Sequence, residues 1–315
     1  MSNSEPDNAA VERLPTILLT GATGYVGGRL LPLLRDQPVI VKCLARNPDK
    51  LQPVAGENIR IVQGDVLDQA SLATALEGVQ TAYYLVHLMS GSHDFEEDDR
   101  RAAVNFAGAA EQAGVQRIIY LGGLGDDADP NLSPHLRSRH EVGEILKSSG
   151  AEVIEFRAGM VLGAGSLSYQ MIKSLTDRLP VMLCPRWLTT LTQPIAIQDV
   201  LSYLLAAIDL PGTGNRIFEI GSPNVVVYGD LIREYARQQG LRRWLIFVPI
   251  LTPYLSGLWL ALVTPATCEV GRHLIEGLKN PTIVRDPSAL QAFSIQPLGV
   301  AEAVRLAIAE SESAV

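Results

Sequence analysis

Cysteine is scarce: Cys43, Cys184 and Cys268 are the three thiols of a 315-residue chain. They are distant from one another, odd in number and lack metal-ligand spacing. This excludes a disulfide framework and a structural zinc site, and it fits reduced thiols in a cytoplasmic protein. A basic stripe is also missing. Lys and Arg number 26 against 34 Asp and Glu, a net charge of −8. Nucleic acid is therefore excluded as a partner, because phosphate neutralisation needs a basic face. There is no internal repeat and no low-complexity tract. Residues 1–13 are polar and acidic without an apolar core, so a disordered tail rather than a signal peptide is expected there.

Long uninterrupted apolar runs are lacking too, with one exception. Trp244–Val263 contains no charge, yet Pro249, Pro253 and Gly257 would break a spanning helix in its middle. The stretch reads as a buried strand followed by a buried helix, as an apolar surface for a membrane interface or a partner protein, or as a true span. A cytoplasmic location, with peripheral membrane contact through 244–263 left open, is the matching expectation.

What is present is more specific. The apolar run Ile17-Leu18-Leu19 leads into Thr20-Gly21-Ala22-Thr23-Gly24-Tyr25-Val26-Gly27-Gly28, then into the helix-like Arg29–Arg35. A strand, glycines at three-residue spacing and a helix form the layout that binds a dinucleotide. Gly21 permits the tight turn, Gly24 lets the backbone approach a pyrophosphate, and Gly27 lets the helix pack closely. Free N–H groups and a partial positive charge at the helix start favour that anion.

With 47% hydrophobic residues the chain can bury a substantial core. Strand-like runs at Thr16–Thr20, Val39–Leu44, Ile59–Val62, Ala82–Val86, Arg117–Leu121 and Glu152–Arg157 alternate with helical spacing at Ser71–Leu76, Ala102–Ala113 and Ser138–Lys147. This alternation predicts an α/β fold, a Rossmann-type doubly wound parallel sheet with helices on both faces. The rhythm changes after Ala158. A helix at Gln198–Ile208, a strand at Arg216–Ile220, a helix at Gly229–Gln238 and a strand at Trp244–Val248 follow. The expected organisation is a dinucleotide-binding domain over 14–210 and a smaller C-terminal subdomain over 211–315, interleaved with the sheet edge.

Arg46 follows the second strand without a carboxylate beside it. An arginine there pairs with the 2′-phosphate of NADP, whereas an acid would bond the ribose hydroxyls of NAD. NADP is thus the favoured cofactor, with Lys50 as a second cation nearby. Asp65 and Val66, after the third strand, suit the adenine amino group and ring. Asp65 or Asp68 equally suits the cap of the next helix.

By these residues the chain resembles the short-chain dehydrogenase/reductases, in particular their atypical and extended members. Thr20–Gly27, Gly64-Asp65-Val66, Val86-His87, Asn105 with Ala107–Gly114, and Val115–Leu121 carry the resemblance. Arg157–Gly163 is similar to the segment that contacts the nicotinamide end, through Gly159. More closely, the chain looks like bacterial NAD(P)H-binding proteins grouped with nucleoside-diphosphate-sugar epimerases and related to an accessory subunit of respiratory complex I. The resemblance implies a dinucleotide site formed by Gly21, Thr23, Gly24, Tyr25, Val26, Gly27, Arg46, Asp65, Val66, Val86, His87, Arg139 and Gly159.

The departures bear on catalysis. The family's reaction uses a serine after the fifth strand and a Tyr-x-x-x-Lys on the next helix, the tyrosine handling the proton. Here the strand ends in Gly122-Gly123, and His135 and Arg139 stand where the tyrosine and lysine belong. His135 titrates near neutrality and can act as an acid, or it is merely solvated. Arg139 can bond ribose hydroxyls. Tyr169-Gln170-Met171-Ile172-Lys173 matches the tyrosine motif by letter but comes one element too late. Asp94–Asp99 reads as an acidic first helical turn rather than a metal site, so no metal is expected. Met171, Met182, Trp187 and Leu188 read as an apolar substrate pocket or as core.

Three functions follow from these readings. The first is an NADP-dependent oxidoreductase acting on an unidentified apolar carbonyl or alkene without the Ser-Tyr-Lys set. The second is a non-catalytic NADPH-binding sensor or assembly protein. The third is an epimerase-like enzyme, disfavoured because that chemistry leans on the missing tyrosine.

Overall fold

The computed structural model describes residues 14–54, 56–88, 95–248 and 277–313. Strands β1 (Thr16–Leu19), β2 (Ile40–Ala45), β3 (Ile59–Gln63), β4 (Thr81–Tyr84), β5 (Arg117–Gly123) and β6 (Glu152–Ala158) join the edge strand Arg216–Ile220 in one seven-stranded sheet. All neighbours are parallel, and the order is Arg216–Ile220, β6, β5, β4, β1, β2, β3. The chain therefore winds outward from β1 in one direction, returns, and winds outward in the other. Strand order reverses between β1 and β4, the place where such folds open a ligand crevice.

Burial on both faces explains the near-continuous apolar strands. Ile17 and Leu19 of β1 face one core with Leu30, Leu34, Val200 and Leu204, whereas Leu18 faces a second core with Leu72, Phe106 and Leu146. Helices α1 (Tyr25–Arg35) and α6 (Ile197–Ala206) cover the first face. Helices α2 (Gln69–Leu76), α3 (Phe95–Ala113) and α4 (Pro134–Lys147) cover the second. The doubly wound sheet read from the sequence is the observed architecture.

Element ends differ from the apolar spacing where polar first turns or glycines carry no periodic signal. Helix α1 starts at Tyr25 rather than Arg29, with the extended Gly24 at its N-cap position and no side-chain cap. Helix α3 starts at Phe95 rather than Ala102, its first turn holding Glu96, Glu97 and Asp98, where the helix dipole favours acids. Helix α4 starts at Pro134 rather than Ser138, since Ser133 Oγ accepts from the Leu136 N–H at 3.3 Å and proline suits the first turn. Strand β4 stops at Tyr84, so Leu85–Leu88 leave the sheet and run along the crevice. Helix α6 ends at Ala206 and passes into a tighter turn over Ala207–Asp209, short of the expected end at Ile208.

A smaller helical subdomain stands at the carboxyl end of the sheet. Helices α5 (Leu167–Arg178), α7 (Tyr228–Gln238) and the last helix, Val300–Ser313, enclose a third core around Leu175, Trp187, Leu231, Tyr235 and Val304. Three short strand pairs tie it together, among them Val181–Cys184 alongside Trp244–Phe247. The latter strand exists, but it is not the buried strand of the first reading. Trp244 is 70% exposed and Ile246 49%, while Leu245 packs inward. Among the described residues its strand partner is Val181–Cys184, where Val181 and Leu183 are exposed as well. Residues 249–263 lie outside the described residues, as do residues 1–13 and Cys268. Among the described residues no helix is long and apolar enough to cross a membrane.

Candidate dinucleotide cleft and proton-transfer site

The glycine turn is built on close approach. Gly21 has φ +70°, and a Cβ there would lie 2.5 Å from the Leu85 carbonyl oxygen of the neighbouring strand's exit. A Cβ on Gly27 would overlap the Gly21 carbonyl, so only glycine lets α1 lie against the turn. Gly24 is less confined, its nearest neighbour being the Gly21 oxygen at 3.1 Å. No side chain caps α1, and its first turn holds no acid. Its N-terminal N–H groups are thus left for an anion.

One groove at the switch point gathers Gly21, Thr23, Gly24, Arg46, Asp65, Val66, Val86 and His87. Arg46 is exposed at the end of β2 and makes no hydrogen bond or ion pair with a described residue. Lys50 does not line the groove. Asp68 is the cap of α2, accepting from the Ala70 N–H at 3.1 Å. Asp65 instead folds an Asx turn, accepting from the Leu67 N–H at 3.0 Å, while Asn105 Nδ2 donates to the Val66 and Leu67 carbonyls.

His87 belongs to this groove and also to a second cleft of about 600 Å³. That cleft is lined by Tyr25, Val26, Gly122, Gly123, His135, Arg139 and Gly159. It continues through Met160, Ser168, Tyr228 and Leu278 into an apolar pocket that adds Met171, Trp187 and Leu188. Met182, grouped with these in the sequence, is plain core.

Side chains crowd both glycines that stand in place of the serine. A Cβ on Gly123 would lie 2.8 Å from Leu136 Cδ2, and one on Gly122 would lie 3.1 Å from Glu155 Oε1. A side chain at either glycine would need Leu136 of α4 or Glu155 of β6 to shift. Beneath Gly122, Glu155 is fully buried and pairs with Arg157 at 2.7 Å. Burial pushes its carboxyl up, and Arg157 opposes that only in part.

His135 is not a lone solvated histidine. Its Nδ1 lies 3.1 Å from His87 Nε2, and the rings are 4.9 Å apart and tilted by 41°. His87 Nδ1 lies 3.0 Å from Asp99 Oδ2. Asp99 also accepts from the Leu88 N–H at 3.0 Å and from the Ser138 hydroxyl at 3.1 Å. Its side chain is 3% exposed. Burial alone would raise this carboxyl, but the hydrogen bonds from His87 and Leu88, with the Arg139 charge, hold it below the usual carboxylate range. His87 is pushed below the ordinary imidazole value, first by burial and then by Arg139, with Asp99 opposing.

Arg139 is largely buried. Its guanidinium donates to the Val86 and Leu121 carbonyls and lies 4.8 Å from the Tyr120 ring. It braces the two strand exits that frame the cleft. The acidic run divides in the same way. Glu96, Glu97 and Asp98 form surface ion pairs with Arg137, Arg100 and Arg101, whereas Asp99 turns inward. The inward residue escaped the sequence reading, although a signal existed. Asp99 falls four residues after Phe95 and three before Ala102, on the apolar stripe of α3. Tyr169 is buried in α5 and Lys173 is held by Asp177 at 2.9 Å, and neither lines the cleft. Among the described residues no cluster could hold a metal ion.

Residues 21–177 match a family model described as NAD(P)H-binding. The 3β-hydroxysteroid dehydrogenase/Δ5→4-isomerase of Mycobacterium tuberculosis is 32% identical over 124 residues, 36% of this chain. The match spans about a third of that enzyme's length, 33%. The photosystem II assembly factor Ycf39 of Cyanophora paradoxa is 25% identical over 243 residues, covering 75% of this chain and 72% of that one. Among solved structures, the triphenylmethane reductase of Citrobacter sp. superposes with a TM-score of 0.76 at 16% identity, covering 93% of this chain and 99% of the other. The chain is an NAD(P)-binding Rossmann-fold protein. It is related to the short-chain dehydrogenase/reductase-like oxidoreductases and to the fold of the nucleoside-diphosphate-sugar epimerases.

Proposed function

We propose that this protein is an NADP(H)-dependent oxidoreductase that reduces an apolar carbonyl compound or activated alkene. The continuity of the groove carries this reading: at His87 the dinucleotide groove opens into a cleft that leads to a nearly all-apolar pocket. The residues fit the cofactor chemically. The uncapped start of α1 beside Gly24 receives a pyrophosphate, Arg46 receives a 2′-phosphate, and Asp65 with Val66 receives the adenine. When bound, the cofactor supplies a hydride. The chain's own part is to seat the apolar body of the substrate among Met160, Met171, Trp187 and Tyr228. It also excludes water there and delivers a proton from His135. The likeness over part of its length to a protein named as a 3β-hydroxysteroid dehydrogenase supports the reading.

The test is NADPH consumption against a panel of quinones, apolar ketones and enones. Turnover is expected with at least one, and His135→Ala should lower kcat by about 10²–10⁴-fold with NADPH affinity retained. NADPH bound but never oxidised would favour a second reading, a sensor or assembly role. That role is supported by the glycines in place of the serine, by the exposed Trp244–Phe247 face, and by the likeness to an assembly factor.

A further inference from the structure

A carboxylate-to-imidazole contact followed in series by an imidazole-to-imidazole contact does not arise from packing needs alone, because apolar residues would fill the same space at less desolvation cost. We propose that Asp99 and His87 are positioning residues that fix the tautomer of His135 and hold its transferable proton at Nε2, replacing the tyrosine–lysine pair of related reductases. The inference rests on the reductase reading above.

The proton positions follow from donor counting. Asp99 accepts from Leu88 N–H, Ser138 O–H and His87, so it acts as a carboxylate and His87 Nδ1 carries hydrogen. Neutral His87 then offers only a lone pair at Nε2. The 3.1 Å contact to His135 therefore requires hydrogen on His135 Nδ1. With Nδ1–H committed, proton gain and loss on His135 take place at Nε2, in a ring that lines the cleft. Burial and the Arg139 cation keep His87 neutral, which is the state the bridge needs. The Asp99 charge, relayed through His87, favours the imidazolium of His135, against the α4 N-terminus and Arg139, which disfavour it. The Tyr84 and Tyr120 hydroxyls, the other titratable groups near Asp99, stay protonated because burial raises both.

The chemistry balances. Hydride forms a new C–H bond at the substrate carbon, and the C=O π pair moves to oxygen. That oxygen takes the proton from His135 Nε2, leaving a neutral imidazole with its Nδ1–H still on His87. Solvent then restores the proton at Nε2. The tyrosine–lysine device tunes a phenol, whereas this array orients an imidazole and fixes which of its nitrogens exchanges a proton.

The test is ring-nitrogen NMR of the full-length protein with labelled histidine, read beside the pH profile of kcat. Wild-type His135 should show the Nδ1–H tautomer with Nε2 titrating. Asp99→Asn should lower its apparent pKa by about one pH unit. The descending limb of kcat against pH should move by the same amount, with KM for NADPH unchanged. Should Asp99→Asn fail to fold, Ser138→Ala, which removes one of the donors to Asp99, should shift His135 in a smaller amount and in the upward direction. His135 found as the Nε2–H tautomer, or titrating indifferently to these changes, would overturn the array. Turnover with an unmoved pH profile would overturn it while keeping the reductase reading. The expected NMR shift without turnover on any carbonyl would do the reverse.

Discussion

Arg46 is the residue whose role follows most directly from position. It follows β2 directly, lines the groove and is paired with no described residue, so its charge is available for a ligand. Arg46→Ala is expected to weaken NADPH binding by about 1–3 kcal/mol, the worth of a charge-assisted contact, and to leave NADH binding unchanged. Calorimetric titration with both cofactors measures this. Equal affinities in the unmodified protein would remove the NADP preference. Arg46 was legible in the sequence because a fixed offset from the glycine turn places it. Asp99 was hidden in an acidic run, where four neighbours, Asp94, Glu96, Glu97 and Asp98, look alike by composition. Only its position on the buried stripe of α3 sets it apart.

At the scale of elements, the turn between β1 and α1 uses its glycines for different reasons, and substitution should separate them. Gly24 faces the groove with ordinary φ and only the Gly21 oxygen at 3.1 Å nearby, so Gly24→Val should abolish NADPH binding with little loss of stability. Gly27 lies under the helix against the Gly21 carbonyl, and Gly27→Val should destabilise by about 1–3 kcal/mol or more, as overpacking does. Chemical denaturation and cofactor titration of the two variants test the contrast. Binding that survives Gly24→Val would place the phosphate elsewhere. The same scale shows why helix starts were misjudged. A cap such as Ser133, a glycine boundary such as Gly24, and charged first turns such as Glu96–Asp98 lack the apolar period that marks a helix body.

For the whole molecule, a cofactor that binds only the folded chain couples the crevice to global stability. NADPH at a hundred times its Kd should stabilise by about 2.7 kcal/mol, raising the unfolding temperature in a scan with and without cofactor. The Gly24→Val variant should show no such rise. An unchanged unfolding temperature in the unmodified protein would argue that the crevice is empty in solution. The subdomain core leans on the carboxyl end of the sheet through Met160, Leu162 and Ala196, so both layers should respond together.

Local chemistry by itself determined the sheet class and the cofactor turn. Apolar runs buried on both faces, glycine spacing and a cation after β2 act over a few residues, and their consequences can be read in order along the chain. The histidine–aspartate array is different. His87, Asp99 and His135 come from a strand exit, α3 and α4, and meet only because those helices pack side by side over the sheet. Exposure of Trp244 and the apolar pocket beside Met160 likewise depend on which strand and helix lie opposite. Long-range packing decided these, because burial and hydrogen-bond partnership belong to neighbours in space, which adjacency in sequence does not encode.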